Sequence, residues 1–120
     1  MPKFVLLLHE NPSDFQAWSP EEMQACIERY RAWSDGLLAQ GKMLGGKKLQ
    51  EEGGRHLRRS KTGTASEVTV ADGPYAEAKE VLGGLFEIEA ADYEEAVALA
   101  GTCPHLDFGW IEVREIDSRG

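Results

Sequence analysis

The stretch SPEEMQACIERYRAWSDGLLAQG, residues 19–41, decides the fold, because it carries both the start and the stop signals of one long helix. Ser19 precedes Pro20, and Glu22 follows three residues after the serine, which is the spacing of a capping box with proline at the first helical position. Gly41 suits the left-handed conformation that follows many helix ends. Between these signals, apolar residues recur three or four positions apart: Met23, Cys26, Ile27, Tyr30, Trp33 and Leu37. The spacing predicts a helix that packs this stripe on a sheet, with Tyr30 and Trp33 either in the core or lining a pocket.

Segments on both sides of this helix have the patterns of β-strands. Residues 4–8 form a continuous apolar run of strand length, and later segments alternate apolar with polar residues. We predict strands at about 4–8, 43–49, 55–60, 67–70, 86–90 and 110–116. The turn-rich residues 51–54 predict a hairpin between the second and third of these strands. A second capping-box spacing, beginning at Asp92, predicts a shorter second helix.

The predicted order is strand, long helix, hairpin-linked strands, strand, short helix and strand, within a single domain spanning residues 1–120. This order is typical of a ferredoxin-like α+β sandwich, in which an antiparallel sheet carries two main helices on one face. The other face of such a sheet needs a cover. We therefore expect a homodimer.

Composition limits the classes of partner. The net charge of -8 argues against binding of nucleic acid or of an anionic membrane by the whole surface. Seven of the 13 basic residues nevertheless lie between positions 42 and 61, which favours either a solvated hairpin face or a landing site for an anionic molecule. No apolar run reaches the length of about 20 residues that spans a bilayer, so we expect a cytoplasmic protein. Cys26 and Cys103 lack C-x-x-C spacing and are expected to be reduced, buried thiols.

The motif DGPYAEAKEVLGG, residues 72–84, follows a predicted strand. Its Gly73-Pro74 pair favours a turn that Asp72 could cap. The motif resembles the signature of the DGPF-type proteins within the YCII-related family, with Tyr75 in place of phenylalanine. The resemblance extends to the first strand, the capped helix, Cys103-Pro104 and the Ile111-to-Arg114 run.

This resemblance implies a dimeric α+β barrel, in which two sheets face each other and enclose a cleft in each subunit. It also implies a bacterial setting linked to extracytoplasmic-function sigma factors, with no established activity. A histidine on the first helix and an aspartate near its end, proposed as partners in shorter relatives, are replaced here by Tyr30 and Ala39.

General acid/base chemistry needs a titratable group within hydrogen-bond reach of a substrate. Asp72 and His9 are the candidate catalytic residues, and Glu10 or Asp72 could orient His9. A set of further polar residues is expected to bind the substrate: Tyr75, Lys79, Glu80, Glu112 and Arg114. We expect no metal and no cofactor, because the three histidines lack any second ligand at helical spacing.

Two functions stay open from the sequence. One is a cofactor-free enzyme that rearranges a small anionic or aromatic metabolite in the barrel cleft. The other is a noncatalytic ligand-binding or regulatory module, with the DGPY motif shaping a pocket or a dimer rim.

Overall fold

The computed structural model describes residues 1–50, 53–59, 67–72 and 80–119. Within these ranges the chain forms six strands, two α-helices and two short 3-10 helices. The strands are β1 Lys3–Glu10, β2 Met43–Lys48, β3 Arg55–Arg59, β4 Val68–Asp72, β5 Val81–Glu89 and β6 Gly109–Glu115. The helices are α1 Pro20–Ala39 and α2 Tyr93–Ala100, and the 3-10 helices are Pro12–Phe15 and Pro104–Asp107.

Four strands form the main sheet in the described residues, in the order β2-β5-β1-β6, and every neighbouring pair is antiparallel. One hydrophobic core joins this sheet to both helices, since Leu37 of α1 and Ala96 of α2 pack with Phe4, Leu6 and Ile88. The helices therefore cover the same face, and the predicted ferredoxin-like α+β fold is confirmed. We call the opposite side of the sheet the open face.

The caps of α1 form as the sequence predicts. The Glu22 N–H donates to Ser19 Oγ at 3.1 Å, and the Ser19 N–H donates to Glu22 Oε1 at 3.2 Å, which completes the capping box. At the C-terminal end of α1, Gly41 has φ +72°, and the Lys42 N–H donates a hydrogen bond to the Leu37 carbonyl at 2.9 Å. This is the hydrogen bond of a Schellman motif, and it turns the chain directly into β2.

Alternation along β1 decides which side chains reach each face of the sheet. Phe4 and Leu6 are fully buried beneath the helices, and Leu8 is 6% exposed. Glu10 continues this helix-facing series and is itself 8% exposed. His9 belongs to the alternate series and lies on the open face. The end of β1 therefore presents a carboxyl group to one face and an imidazole to the other.

The pairing of the hairpin strands differs from the sequence prediction. β2 pairs with β5, and β3 pairs with β4 in a separate two-stranded sheet, so the predicted β2–β3 hairpin across residues 51–54 was wrong. Gly53 and Gly54, just before β3, both have positive φ, at 88° and 82°, a conformation that glycine adopts without steric cost. The motif residues 73–79 lie outside the described residues, including the predicted turn at Gly73-Pro74.

Candidate functional site

A cavity of about 550 Å³ separates the N-terminal half of α1 from the helix-facing side of the sheet. Met23, Ile27, Tyr30 and Ser34 line it from α1, and their spacing places them on one side of the helix. About one helical turn after Ser34, the same side of α1 packs directly against the core, where Leu37 is 4% exposed. Met23 and Ile27, expected as core residues, instead form a pocket wall. Tyr30 both lines the pocket and packs against the core, whereas Trp33 packs against the core.

Three aromatic rings form another wall of this pocket. Phe15 and Trp18 come from the segment between β1 and α1, and Phe108 follows the second 3-10 helix. Their ring centroids lie 5.0 to 5.6 Å apart in edge-to-face arrangements. Such contacts give the rings a defined geometry. The pocket is therefore shaped for an apolar or aromatic molecule.

Glu10 is the acidic side chain in the pocket lining. Its carboxyl group has no hydrogen-bond or ion-pair partner among the residues that the structure describes. It lies against Gly83, where an added Cβ would overlap the carboxyl group. Gly83 sits where the β1–β5 register shifts between Leu8 and His9. The bulge and the missing side chain together make room for Glu10.

A hydrogen-bonded chain runs from the pocket into the sheet. The Tyr30 hydroxyl lies 2.8 Å from His105 Nδ1, and His105 Nε2 lies 2.8 Å from the His9 carbonyl oxygen. His105 is 1% exposed. A Cβ on Gly109 would overlap both His105 and the His9 carbonyl, so glycine is required there. Burial raises the pKa of the Tyr30 hydroxyl, which therefore keeps its proton.

Both cysteines are free and buried, as predicted. Cys26 lines the pocket, and burial raises the pKa of its thiol despite the opposing charge of Arg29. Burial also raises the pKa of Cys103 to about 11. Because the thiolate is the reactive form, neither residue has the environment of a catalytic nucleophile.

The open face brings together several of the predicted site residues. His9 Nε2 lies 3.6 Å from Glu112 Oε1, and the His9 ring stacks on Trp110 with centroids 4.1 Å apart. The Trp110 indole donates a hydrogen bond to Glu80 Oε2 at 2.9 Å. Arg114 lies two residues beyond Glu112 and is exposed. His9 Nε2 is buried and makes no hydrogen bond within the described chain.

Asp72 lies elsewhere, on the separate β3–β4 hairpin. Its side chain is 92% exposed and forms an ion pair with Arg55 at 3.4 Å. No hydrogen bond or ion pair joins it to His9 in the described part of the chain. Tyr75 and Lys79, which were expected to bind the substrate, lie outside the described residues.

The sequence prediction missed Glu10 and His105 as pocket residues. Strand alternation could have identified Glu10 as a helix-facing residue, because Phe4, Leu6, Leu8 and Glu10 occupy alternate positions of one strand. The uninterrupted apolar run hid that alternation. His105 had no such signal, since its two hydrogen-bond partners lie 75 and 96 positions away in the sequence.

The described residues hold neither a cluster of metal ligands nor a membrane-spanning helix. No three His, Cys, Asp or Glu side chains there are grouped so that they could hold a metal ion. Neither described helix combines the length and the hydropathy needed to cross a membrane.

The family model of the YCII-related domain matches residues 2–118. A search of the curated proteins finds no significant match.

Proposed function

This chain belongs to the YCII-related family, and from its geometry we propose that it binds a small, largely apolar or aromatic metabolite between α1 and the sheet and transforms it by cofactor-free acid/base chemistry. Glu10 is the proposed general acid or base. The ligand occupies the pocket of about 550 Å³, which is within the usual range for small-molecule sites. The proposed ligand site thus lies on the helix-facing side of the sheet, whereas the resemblance implies a cleft enclosed by two facing sheets.

The observation that carries this proposal is the unpartnered carboxyl group of Glu10. Glu10 is 8% exposed, and Gly83 gives up a side chain to accommodate it. A carboxyl group that has no partner in the described chain and lines a largely apolar cavity is suited to meet a ligand. It also meets the first requirement for proton transfer, which is direct access to the bound molecule.

A second acid/base group is proposed on the open face, where His9 and Glu112 lie 3.6 Å apart. The observation in its favour is that His9 Nε2 is buried but makes no hydrogen bond in the described chain. Asp72 stays a predicted partner of His9, and its test is Asp72→Asn, which keeps the side-chain size while removing the base. Loss of turnover with unchanged ligand affinity would support a catalytic Asp72. An unchanged rate would remove it from the mechanism.

The open face is also the proposed homodimer interface. The molecule is 18 Å thick in its smallest dimension, about the depth of one helix layer on one sheet. A second copy would cover Val5, Leu7 and Leu85 and would enclose the His9–Glu112 group. Light scattering tests this, because a chain of 13.3 kDa should then appear at twice its mass. A monomer at micromolar concentration would contradict the proposal.

The alternative function is a noncatalytic ligand-binding or regulatory module, with the sigma-factor link that the family resemblance implies. The two functions differ in turnover. Thermal shift against a library of aromatic and apolar metabolites identifies ligands, because binding to the native state alone raises stability. Hits are then incubated in D₂O, where a general base that removes a substrate C–H proton exchanges it for deuterium.

Glu10→Gln and the exposed Glu28→Gln form a matched pair for this experiment. We expect exchange or product formation with the wild type and with Glu28→Gln, and a loss of at least about 100-fold with Glu10→Gln, the usual scale of general acid/base catalysis. Binding without any turnover in all three proteins would support the regulatory module. Turnover that survives in Glu10→Gln would exclude Glu10 as the acid or base.

A further inference from the structure

We infer that the pocket selects molecules that place a hydrogen-bond donor, an amine or a hydroxyl group on an apolar or aromatic body, against Glu10 and Tyr30. The inference rests on the proposed function only in taking this pocket as the ligand site. It adds the chemical class of the ligand, and it differs from the anionic class that the basic residues between positions 42 and 61 suggested.

The first step concerns Glu10. An ionised carboxylate only accepts hydrogen bonds, and a protonated one still has acceptor capacity. In the described structure no N–H or O–H group donates to this carboxyl, which lines the pocket in a residue that is 8% exposed overall. A ligand that supplies a donor therefore gives this carboxyl a partner inside the pocket, whereas a ligand carboxylate adds a second acceptor beside it.

The second step concerns the direction of the Tyr30 hydrogen bond. The His9 carbonyl can only accept, so His105 Nε2 must carry a proton. An imidazole with a single proton then has a bare Nδ1, which accepts the O–H of Tyr30 at 2.8 Å. The Tyr30 hydroxyl proton therefore points to His105 and is not offered to a ligand. The lone pairs of its oxygen remain for the pocket, so Tyr30 is also an acceptor towards a ligand.

The third step concerns the lysines of the lining, which would otherwise favour an anion. Lys48 Nζ already donates to the carbonyls of Leu49 and Gly83, at 3.1 and 3.2 Å. Lys47 is directly opposite Leu85 in the β2–β5 pairing, and Leu85 is opposite Leu7. Residues directly opposite each other in neighbouring strands lie on the same face, so the Lys47 side chain lies on the open face, on the opposite side of the sheet from the pocket.

The remaining polar groups of the lining do not change this balance. Ser34 and Trp18 are half-buried and keep contact with water. The Cys26 thiol stays protonated and is a weak donor. The polar groups that restrict the choice of ligand most are therefore the Glu10 carboxyl and the Tyr30 hydroxyl, and both accept hydrogen bonds from a ligand.

Four probes of similar size test the inference: naphthylmethylamine, naphthol, methylnaphthalene and naphthoate. Calorimetric titration gives their affinities, and the methyl NMR signals of Met23 and Ile27 report whether each probe enters the pocket. We expect the amine and the naphthol to bind about tenfold or more tightly than methylnaphthalene, the factor for one net hydrogen bond of about 1.4 kcal/mol. Naphthoate should bind most weakly.

Variants separate the two acceptors from general hydrophobic binding. Glu10→Gln introduces an amide N–H donor of nearly the same size, so the preference for the amine over naphthoate should shrink at least about tenfold. Tyr30→Phe should weaken naphthol more than methylnaphthalene. Glu28→Gln, on the exposed side of α1, should leave all four affinities unchanged.

The outcomes distinguish this inference from the proposed function. If all four probes enter the pocket with equal affinity, or naphthoate binds most tightly, the donor preference is wrong while the pocket remains a ligand site. If no probe perturbs Met23 or Ile27, the proposed function itself fails, and the donor preference fails with it.

Discussion

Replacing Glu10 by methionine should stabilise the protein while weakening its binding of amines. Glu10 is 8% exposed and has no hydrogen-bond partner in the described chain, so methionine at this position gives up no hydrogen bond and adds apolar surface to the pocket wall. Methionine has a similar length and fits irregular apolar space. We therefore expect the free energy of unfolding to rise by about 1 kcal/mol, the scale of burying one further CH₂ group.

Urea unfolding followed by circular dichroism measures this change, with the m-value as a check that compactness is unaltered. For a domain of this size, 1 kcal/mol corresponds to a shift in Tm of roughly 4 °C. Glu28→Met is the matched control, because surface substitutions usually change stability by less than about 0.5 kcal/mol. A fall of about 1 kcal/mol or more in Glu10→Met, with the control unchanged, would show that Glu10 makes stabilising contacts and would refute the reasoning.

Three further changes test the surroundings of the pocket. His105→Ala removes the partner of Tyr30 and leaves a cavity, so urea unfolding should show a loss of about 2–4 kcal/mol, and a loss under 1 kcal/mol would contradict the role of the hydrogen-bonded chain. Gly83→Ala should cost about 1–3 kcal/mol through overlap with Glu10, and a double-mutant cycle with Glu10→Ala should recover most of this cost; additive costs would contradict the overlap. The raised pKa of Cys103 means that the native state holds its proton between the ordinary thiol value of 9.0 and about 11, so stability should fall as the pH rises through that window. In Cys103→Ala, measured over the same pH series, the free energy of unfolding should fall less steeply with pH. An unchanged pH dependence would exclude the Cys103 thiol as the cause.

The elements that the sequence predicted well are those with local signals. The bounds of α1 follow from Ser19, Pro20 and Gly41, and their hydrogen bonds form as expected. The ferredoxin-like order follows in the same way from strand and helix patterns. The pairing of β2 with β5 was not predictable from the sequence of β2, because the alternation within a strand does not determine which other strand it pairs with.

The candidate site was predicted less well, because it depends on contacts between distant segments. His9 and Glu112 were both predicted as site residues, and they lie 3.6 Å apart because they belong to strands that pair in the sheet. Asp72 was predicted as a catalytic residue that could orient His9, but its strand belongs to the separate β3–β4 hairpin. Glu10 was considered only as a residue that orients His9, yet strand alternation sends the two side chains to opposite faces.

This alternation also allows the two proposed acid/base groups to be tested independently. The hydrogen bond from His105 Nε2 uses the backbone carbonyl of His9, which survives any change of side chain at that position. The direction of the Tyr30 hydrogen bond is therefore preserved when the imidazole on the open face is removed. His9→Gln should abolish chemistry that depends on the open face while leaving the donor preference of the pocket intact. If that preference changes together with the His9 side chain, the two faces are coupled, and the pocket does not act through Glu10 and Tyr30 alone.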